Sequence, residues 1–399
     1  MATTTPGVGH NPGSDPARDL VREPMTGPRA EPTIRDVARS AGVSTATVSR
    51  VISGAVAARP QTRARVLAAV EQLGYRPSAV ARSLKLRTTR TLGLLVTDIQ
   101  NPYYPEIVRA VEDAALERNL AVLLCNGADD PAREETYLDL LAARRVDGII
   151  VASSGLQERH GAWLSSHTVP VVLVNWASAD LALPAILGDN RAGGRLATEH
   201  LIALGHRRIG HITAPPRNAA AAERLAGVRD AVAEAGIAPD GLEVVEADGH
   251  VTGGEAGARE LLDRRPDVTA IVCYNDLTAI GAVRALRARG VRVPEDVSVV
   301  GYDDIPLSAW VDPPLTTVAQ QTQEMGHWAV RRLEELIGKM SESTGDGSAD
   351  GMAGADAMAG PHEMAAPDRI ARTRGLRAES AVVLPVDLRV RASTAPPAR

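Results

Sequence analysis

The chain has 399 residues, 44% of them hydrophobic, with 44 Lys and Arg against 49 Asp and Glu and a formal charge of −5. That length accommodates two or three domains, and no apolar run reaches the roughly 18 residues of a membrane-spanning helix. Two cysteines, Cys125 and Cys273, lie far apart, each closing an apolar run, which argues against a disulfide framework and for buried strand positions.

Residues 1–30 are rich in Pro, Gly, Thr and Asp and lack apolar periodicity, so a disordered tail is expected. They include no apolar signal core, so the expected compartment is the cytoplasm. Residues 31–76 read differently. Ile34, Val37, Ala38 and Ala41 form one apolar stripe at helical spacing, with Thr33 before it and Gly42 after it. Ser44 opens a second stripe of Val48, Val51 and Ile52. Two short helices joined through a glycine are the pattern of a helix-turn-helix. A third helix begins at Pro60, with Val66, Val70 and Leu73 in step, and stops at Gly74. The outward face of the second helix carries Thr45, Ala46, Thr47, Ser49 and Arg50. Short hydroxyls at a helix N-terminus suit phosphates, and a guanidinium one turn later reaches guanine O6 and N7 through two bonds.

Residues 77–90 are expected to be a hinge. SAVARSL is too short to be a stable helix alone, since isolated helices below roughly 12–15 residues are marginal in water. Leu84, between Arg82 and Lys85, has the character of an apolar wedge for a minor groove. The candidate DNA contacts are therefore Thr33, Ser44, Thr45, Ala46, Thr47, Ser49 and Arg50, then Thr62 and Tyr75, then Ser78, Arg82, Leu84 and Lys85. Residues 31–90 hold eleven bases against three acids, a formal +8, which leaves −13 for the remainder. A basic module on an acidic body is the footprint of a DNA-binding head on a larger domain.

From Thr91 short apolar runs (LGLLV, AVLLC, GIIVA, VVLV, AILG, RIGHI, LEVVE, AIVC, VSVVG) alternate with amphipathic helical stretches. Repeated βαβ units imply parallel sheets covered by helices, and the number of strands implies two lobes with a cleft between them. Residues 341–380 are small, polar and aperiodic, so a flexible insertion is expected there, and the chain then ends in one strand, AVVLPVDLRV. No serine elbow, phosphate loop or metal motif appears in a suitable context, so no enzyme activity, cofactor or metal is expected. Ligands of open parallel sheets bind beyond the strands' carboxyl ends. Those ends carry Asn101, Tyr103 and Tyr104, then Asn175 and Trp176, Arg224, Asn275 and Asp276, and Tyr302 and Asp303. Amides, carboxylates and aromatic faces in series suit a polyhydroxylated ligand.

TIRDVARSAGVSTATVSRV, PSAVARSL, NPYYPEIVRAVE, RVDGIIV, HLIALGHRRIGHI, ERLAGV, NDLTAIGAV, VPEDVSVVGYDDI and PPLTTV occur in this order. This set resembles the LacI/GalR family of bacterial transcriptional regulators over about residues 32–340 and again at LPVDLRVRASTAPP. The resemblance implies a small all-α helix-turn-helix head joined to an α/β, two-lobed domain of the type I periplasmic-binding-protein kind, 91–395. It places an N-lobe at about 91–188 and 317–340 and a C-lobe at about 189–316 and 381–395. The chain would cross between them near Gly188, near Thr316 and after Gly338. Effector contact is implied for Tyr103, Tyr104, Asn175, Arg224 and Asp276. Gly249 and Ala220 depart from the family, where an aromatic and a polar residue are common. The expected function is a regulator, in the sense of a repressor, that binds an approximately palindromic double-stranded operator as a homodimer. Helices at 104–118 and 277–289 would supply the contacts, and a small-molecule effector, a sugar or sugar derivative first and a nucleoside or purine second, would control it. A solute-binding protein for a sugar transporter shares the two lobes but requires export and no basic head.

Overall fold

In the computed structural model the described residues are 32–53, 59–76, 88–153, 158–177, 183–216, 218–345 and 381–398. The chain divides into two compact units, Met1–Lys85 and Leu86–Arg399.

The first unit contains α1 (Ile34–Ala41), α2 (Thr45–Ser53) and α3 (Pro60–Leu73). Val37, Ala38, Ala41, Val48, Val51, Val66 and Ala69 form its core, with Ile34, Ile52, Val70, Leu73 and Tyr75 packed around them. Gly42 and Gly74 end α1 and α3 at φ 63° and 62°, the left-handed region where a side chain is strained. Thr33 caps α1 as its position predicts, in a reciprocal capping box with Asp36. Its hydroxyl donates to Asp36 Oδ2 at 2.7 Å, and the Thr33 N–H donates to the same oxygen at 3.0 Å.

The second unit holds two six-stranded sheets. Strands β1 (Thr91–Val96), β2 (Ala121–Asn126), β3 (Gly148–Ala152), β4 (Val171–Val174) and β5 (Ala185–Gly188) build the N-lobe sheet in the order β5-β4-β3-β1-β2. Strands β6 (Ile209–Thr213), β7 (Leu242–Glu246), β8 (Ala270–Cys273), β9 (Ser298–Asp303) and β10 (Thr316–Ala319) build the C-lobe sheet in the order β10-β9-β8-β6-β7. These neighbours pair in parallel, as βαβ crossovers require. The intervening helices are α4 (Tyr103–Glu117), α5 (Pro131–Ala143), α6 (Glu158–Ser166), α7 (Asn190–Ala203), α8 (Ala219–Glu234), α9 (Val251–Arg264), α10 (Asp276–Ala288) and α11 (Thr322–Gly345).

Two of the lobe bounds differ from those expected by a few residues. Thr316–Ala319 pairs with Val300–Asp303, so the chain stays in the C-lobe through Ala319 and returns only with α11, which packs on α4. The terminal AVVLPVDLRV is two strands rather than one. β11 (Val382–Leu384) joins β5 in the N-lobe, and β12 (Asp387–Arg389) runs antiparallel to β10 in the C-lobe. Pro385 lies between them, and a residue without an N–H cannot extend a ladder. Residues 317–319 thus belong to the C-lobe sheet and 382–384 to the N-lobe sheet. α11 continues to Gly345, five residues into the stretch expected to be insertion.

Candidate nucleic-acid interface and effector cleft

In the head, Ser44 Oγ accepts the Thr47 amide at 3.2 Å and so starts α2. Burial of Val48 and Val51 turns Thr45, Ala46 and Arg50 outward, with Thr47 and Ser49 half-buried beside them. Arg50 Nε donates to the Ala46 carbonyl at 3.3 Å, which lays the guanidinium along that outer face. Thr62 is half-buried in the first turn of α3, and Tyr75 packs on the head core. Ser78, Arg82, Leu84 and Lys85 lie outside the described residues.

Between the lobes lies a cavity of about 380 Å³. The N-lobe lines it with Asp98, Asn101, Tyr104, Asp129, Glu134 and Ser153, and the C-lobe with Ala214, Asn218, Asp248, Gly249, His250, Tyr274 and Asn275. Most of these residues follow the carboxyl ends of β1, β2, β3, β6, β7 and β8, where an open parallel sheet leaves room for a ligand. The lobes meet at its mouth, where His250 Nε2 stands 3.5 Å from Asp129 Oδ2. Glu134 is 4% exposed, and burial, then Asp129 and Asp130, push its carboxyl up to about 7. His160 Nε2 lies 3.3 Å from Glu134. Gly249 takes φ 85° with the Tyr274 ring against it, a backbone at which an aromatic side chain would be strained.

Of the five expected effector residues, Tyr104 lines this cavity. Tyr103 lines a second hollow of about 150 Å³ with Asp303 and Gln320. Asn175 is 6% exposed at φ 64°, and its Oδ1 has no partner among the described residues. Arg224 is buried and fully engaged. Its Nε donates to Asn190 Oδ1 at 2.9 Å, Nη1 to the Tyr274 carbonyl at 2.6 Å and Nη2 to Asp303 Oδ1 at 3.4 Å, and it stacks 3.5 Å from the Tyr302 ring centroid. Asp303 in turn accepts from Gln320 Nε2 at 2.8 Å, and burial raises its carboxyl to about 6. Asp276 has no exposed surface and turns away from the cavity. Its Oδ2 accepts the Ile305 amide at 2.9 Å and Oδ1 the Thr317 hydroxyl at 2.5 Å. The cap of α10 is Asn275, which accepts the Thr278 amide at 2.8 Å. Asn190, Tyr274 and Asp303 therefore hold Arg224, while Tyr104 alone of the five faces the larger cavity.

The family model described as bacterial regulatory proteins, lacI family, matches residues 33–78. The model described as periplasmic binding proteins and sugar binding domain of LacI family matches residues 89–356. The HTH-type transcriptional repressor PurR of Aliivibrio salmonicida is 40% identical over 298 residues, 74% of this chain and 90% of that protein. The chain belongs to the LacI family.

The solved transcriptional regulator CelR–cellobiose complex is 35% identical with a TM-score of 0.63, covering 91% of this chain and 99% of that one. The lac repressor dimer bound to operator and the anti-inducer ONPF is 28% identical with a TM-score of 0.75, over the same shares. This LacI-family chain is accordingly a DNA-binding transcriptional regulator and not an enzyme. Among the described residues no helix is long and apolar enough to cross a membrane.

The sequence reading of this LacI-family cleft passed over Asp129, Glu134, Asp248 and His250. The rule that located Tyr104 would have found Asp248 and His250, which directly follow LEVVEA at the end of β7. The same rule would have found Asp129, three residues past the end of β2, whereas Glu134 gave no signal, because the first turn of α5 reads as ordinary solvated charge.

Proposed function

We propose that the chain is a repressor whose grip on a palindromic operator is set by a small molecule held in the interlobe cleft, in the cytoplasm where that DNA lies. The cavity lined by strand-end residues of both lobes is the observation that carries this reading, since a ligand there touches both lobes and biases their relative position. A sugar or sugar derivative is the leading ligand: carboxylates accept hydrogen bonds from hydroxyls, and Asn175 buries an unpartnered acceptor nearby. Tyr104 is the proposed direct contact, and Asn175, outside the cavity's lining, is proposed to reach the effector from the end of β4 beside Ser153. Tyr103, Arg224 and Asp276 act from behind the cavity wall and reach the effector only through a movement of the lobes. A purine or nucleoside is the second reading, in keeping with the relatives named PurR. Operator affinity measured with and without cellobiose, ribose, glucosamine or a purine base tests both, and an affinity indifferent to every one of these ligands overturns effector control.

Arg50→Ala is expected to weaken operator binding by about 1–3 kcal/mol and to relax preference at one base pair, as loss of a two-bond guanine contact does. Titrations against operator variants at fixed salt check this; a uniform loss on all sequences would assign Arg50 to phosphate.

The regulator is proposed to act as a homodimer, because two recognition helices on a two-fold axis double the contact with DNA. The 104–118 helix packs one side on α11 and exposes Leu116, while much of the 277–289 helix is buried. The most exposed large apolar group among the described residues is Trp310, 85% exposed, close in sequence to Leu307 at 49%. Trp310→Ala is expected to weaken dimerisation by about 2 kcal/mol, the scale of an aromatic anchor. Sedimentation over a concentration series reads this, and an unchanged dimer constant places the interface elsewhere.

A further inference from the structure

We infer that the effector carries a positive charge and is a polyhydroxylated amine of the amino-sugar class. This rests on the cleft being the effector site. The amides that line it are committed to the fold. Asn218 caps α8 through Oδ1 and donates to the Tyr274 hydroxyl at 2.7 Å. Asn275 caps α10 and donates to the Gly249 carbonyl at 2.9 Å. Asn101 Oδ1 accepts the Tyr103 amide at 3.1 Å. Beside the hydroxyls of Tyr104, Ser153 and Tyr274, the lining carries four carboxyl groups. Asp98 and Asp248 each give one oxygen to a local amide, that of Gln100 at 3.1 Å and that of His250 at 2.8 Å. The second oxygen of each has no hydrogen-bond partner among the described residues. Asp129, which faces His250, and Glu134, which faces His160, also line the cavity, and the described lining contains no Lys or Arg, only the imidazole of His250.

The carboxylates come from both sides: Asp98, Asp129 and Glu134 from the N-lobe and Asp248 from the C-lobe. Carboxylates on both sides of a 380 Å³ cavity repel any anionic ligand. An ammonium group offers three N–H donors and no acceptor, the complement of such a wall, and its charge draws both lobes inward. The unpartnered Asn175 Oδ1 adds a further buried acceptor at the end of β4, beside Ser153, whose amide donates to the Val174 carbonyl. Asp98, Asp129 and His250 also bring ligand atoms within 4.8 Å of one another, so a divalent cation alone is the competing occupant.

Calorimetry on the full chain at fixed salt compares glucosamine and its β-1,4 disaccharide with glucose and cellobiose, with glucose 6-phosphate and Mn²⁺ alone as further probes. The amine of each pair is expected to bind at least about tenfold more tightly, the advantage of a charge-assisted contact in a partly desolvated site. Asp129→Asn is expected to erode that ratio, and glucose 6-phosphate is expected not to bind. Equal or tighter binding of the neutral sugars, or binding of the phosphate, overturns the charge inference and leaves the cleft reading standing. Stoichiometric Mn²⁺ binding without any amine binding also overturns it. Amine binding that survives Ser153→Leu, which fills the cavity, overturns the cleft reading itself, and no binding of either sugar kind overturns both.

Discussion

Gly227→Ala is expected to destabilise the C-lobe by about 3 kcal/mol or more, the upper range for overpacking a rigid contact. Helices α7 and α8 approach backbone to backbone through Gly194 and Gly227. A Cβ at Gly227 would lie 2.0 Å from the Arg191 carbonyl oxygen, and one at Gly194 would lie 2.1 Å from that of Arg224. Backbone oxygens held in helices cannot swing aside as a side-chain end can, so the helices must separate. The Arg191–Asp230 and Arg195–Glu234 ion pairs that lace the same helices would stretch with them. Arg224, one turn before Gly227, would be carried away from Asn190 and Asp303. Thermal unfolding of the effector domain measures the loss, and operator titration measures what reaches the head. Gly338→Ala is the control, because nothing lies within 4 Å of a Cβ there. It should be neutral or gain up to about 1 kcal/mol from helix propensity. Equal melting temperatures for Gly227→Ala and wild type would mean that the two helices have room the structure does not give them.

Asp276→Ala is expected to cost about 2–4 kcal/mol of stability, because it strands two donors in the interior at roughly 1–3 kcal/mol each. The Ile305 amide and the Thr317 hydroxyl both end on this carboxyl group. Burial and the nearby Asp303 raise its ionisation well above the usual carboxylate range. Thr317 lies on β10, immediately before the chain crosses to α11, and Ile305 packs into the N-lobe core beside Met325. The substitution therefore loosens the back of the cleft and is expected to blunt any ligand response together with stability. Asp276→Asn keeps an acceptor and is expected to recover most of both. Chemical denaturation alongside ligand-dependent operator binding checks the pair. A variant of wild-type stability that has lost only the ligand response would place the Asp276 carboxyl in the effector's contact set instead.

The head and most strands were legible in the sequence because local rules determine them. Stripes at helical spacing, Ser44 at a cap, and glycines at 42 and 74 where the backbone turns left-handed all act within a few residues. Inner runs such as LGLLV, GIIVA, VVLV and VSVVG are continuous and apolar because strands covered on both faces have no polar side, while AVLLC at the sheet edge is apolar yet mostly exposed. The polar strand ends marked the neighbourhood of the cleft for the same reason. Which side chains enter it was decided only by tertiary structure. Asn275 and Asp276 are adjacent, yet Asn275 lines the cavity and Asp276 is sealed behind it, because the first residues of a helix point in directions about 100° apart. The splitting of AVVLPVDLRV depends on two distant partners, β5 and β10, that lie in different sheets. The acidic wall arises from Asp98, Asp129, Glu134 and Asp248, which are separate in sequence. Each reads alone as solvated charge, and only the stacking of two sheets with their carboxyl ends facing one another brings them to a single cavity.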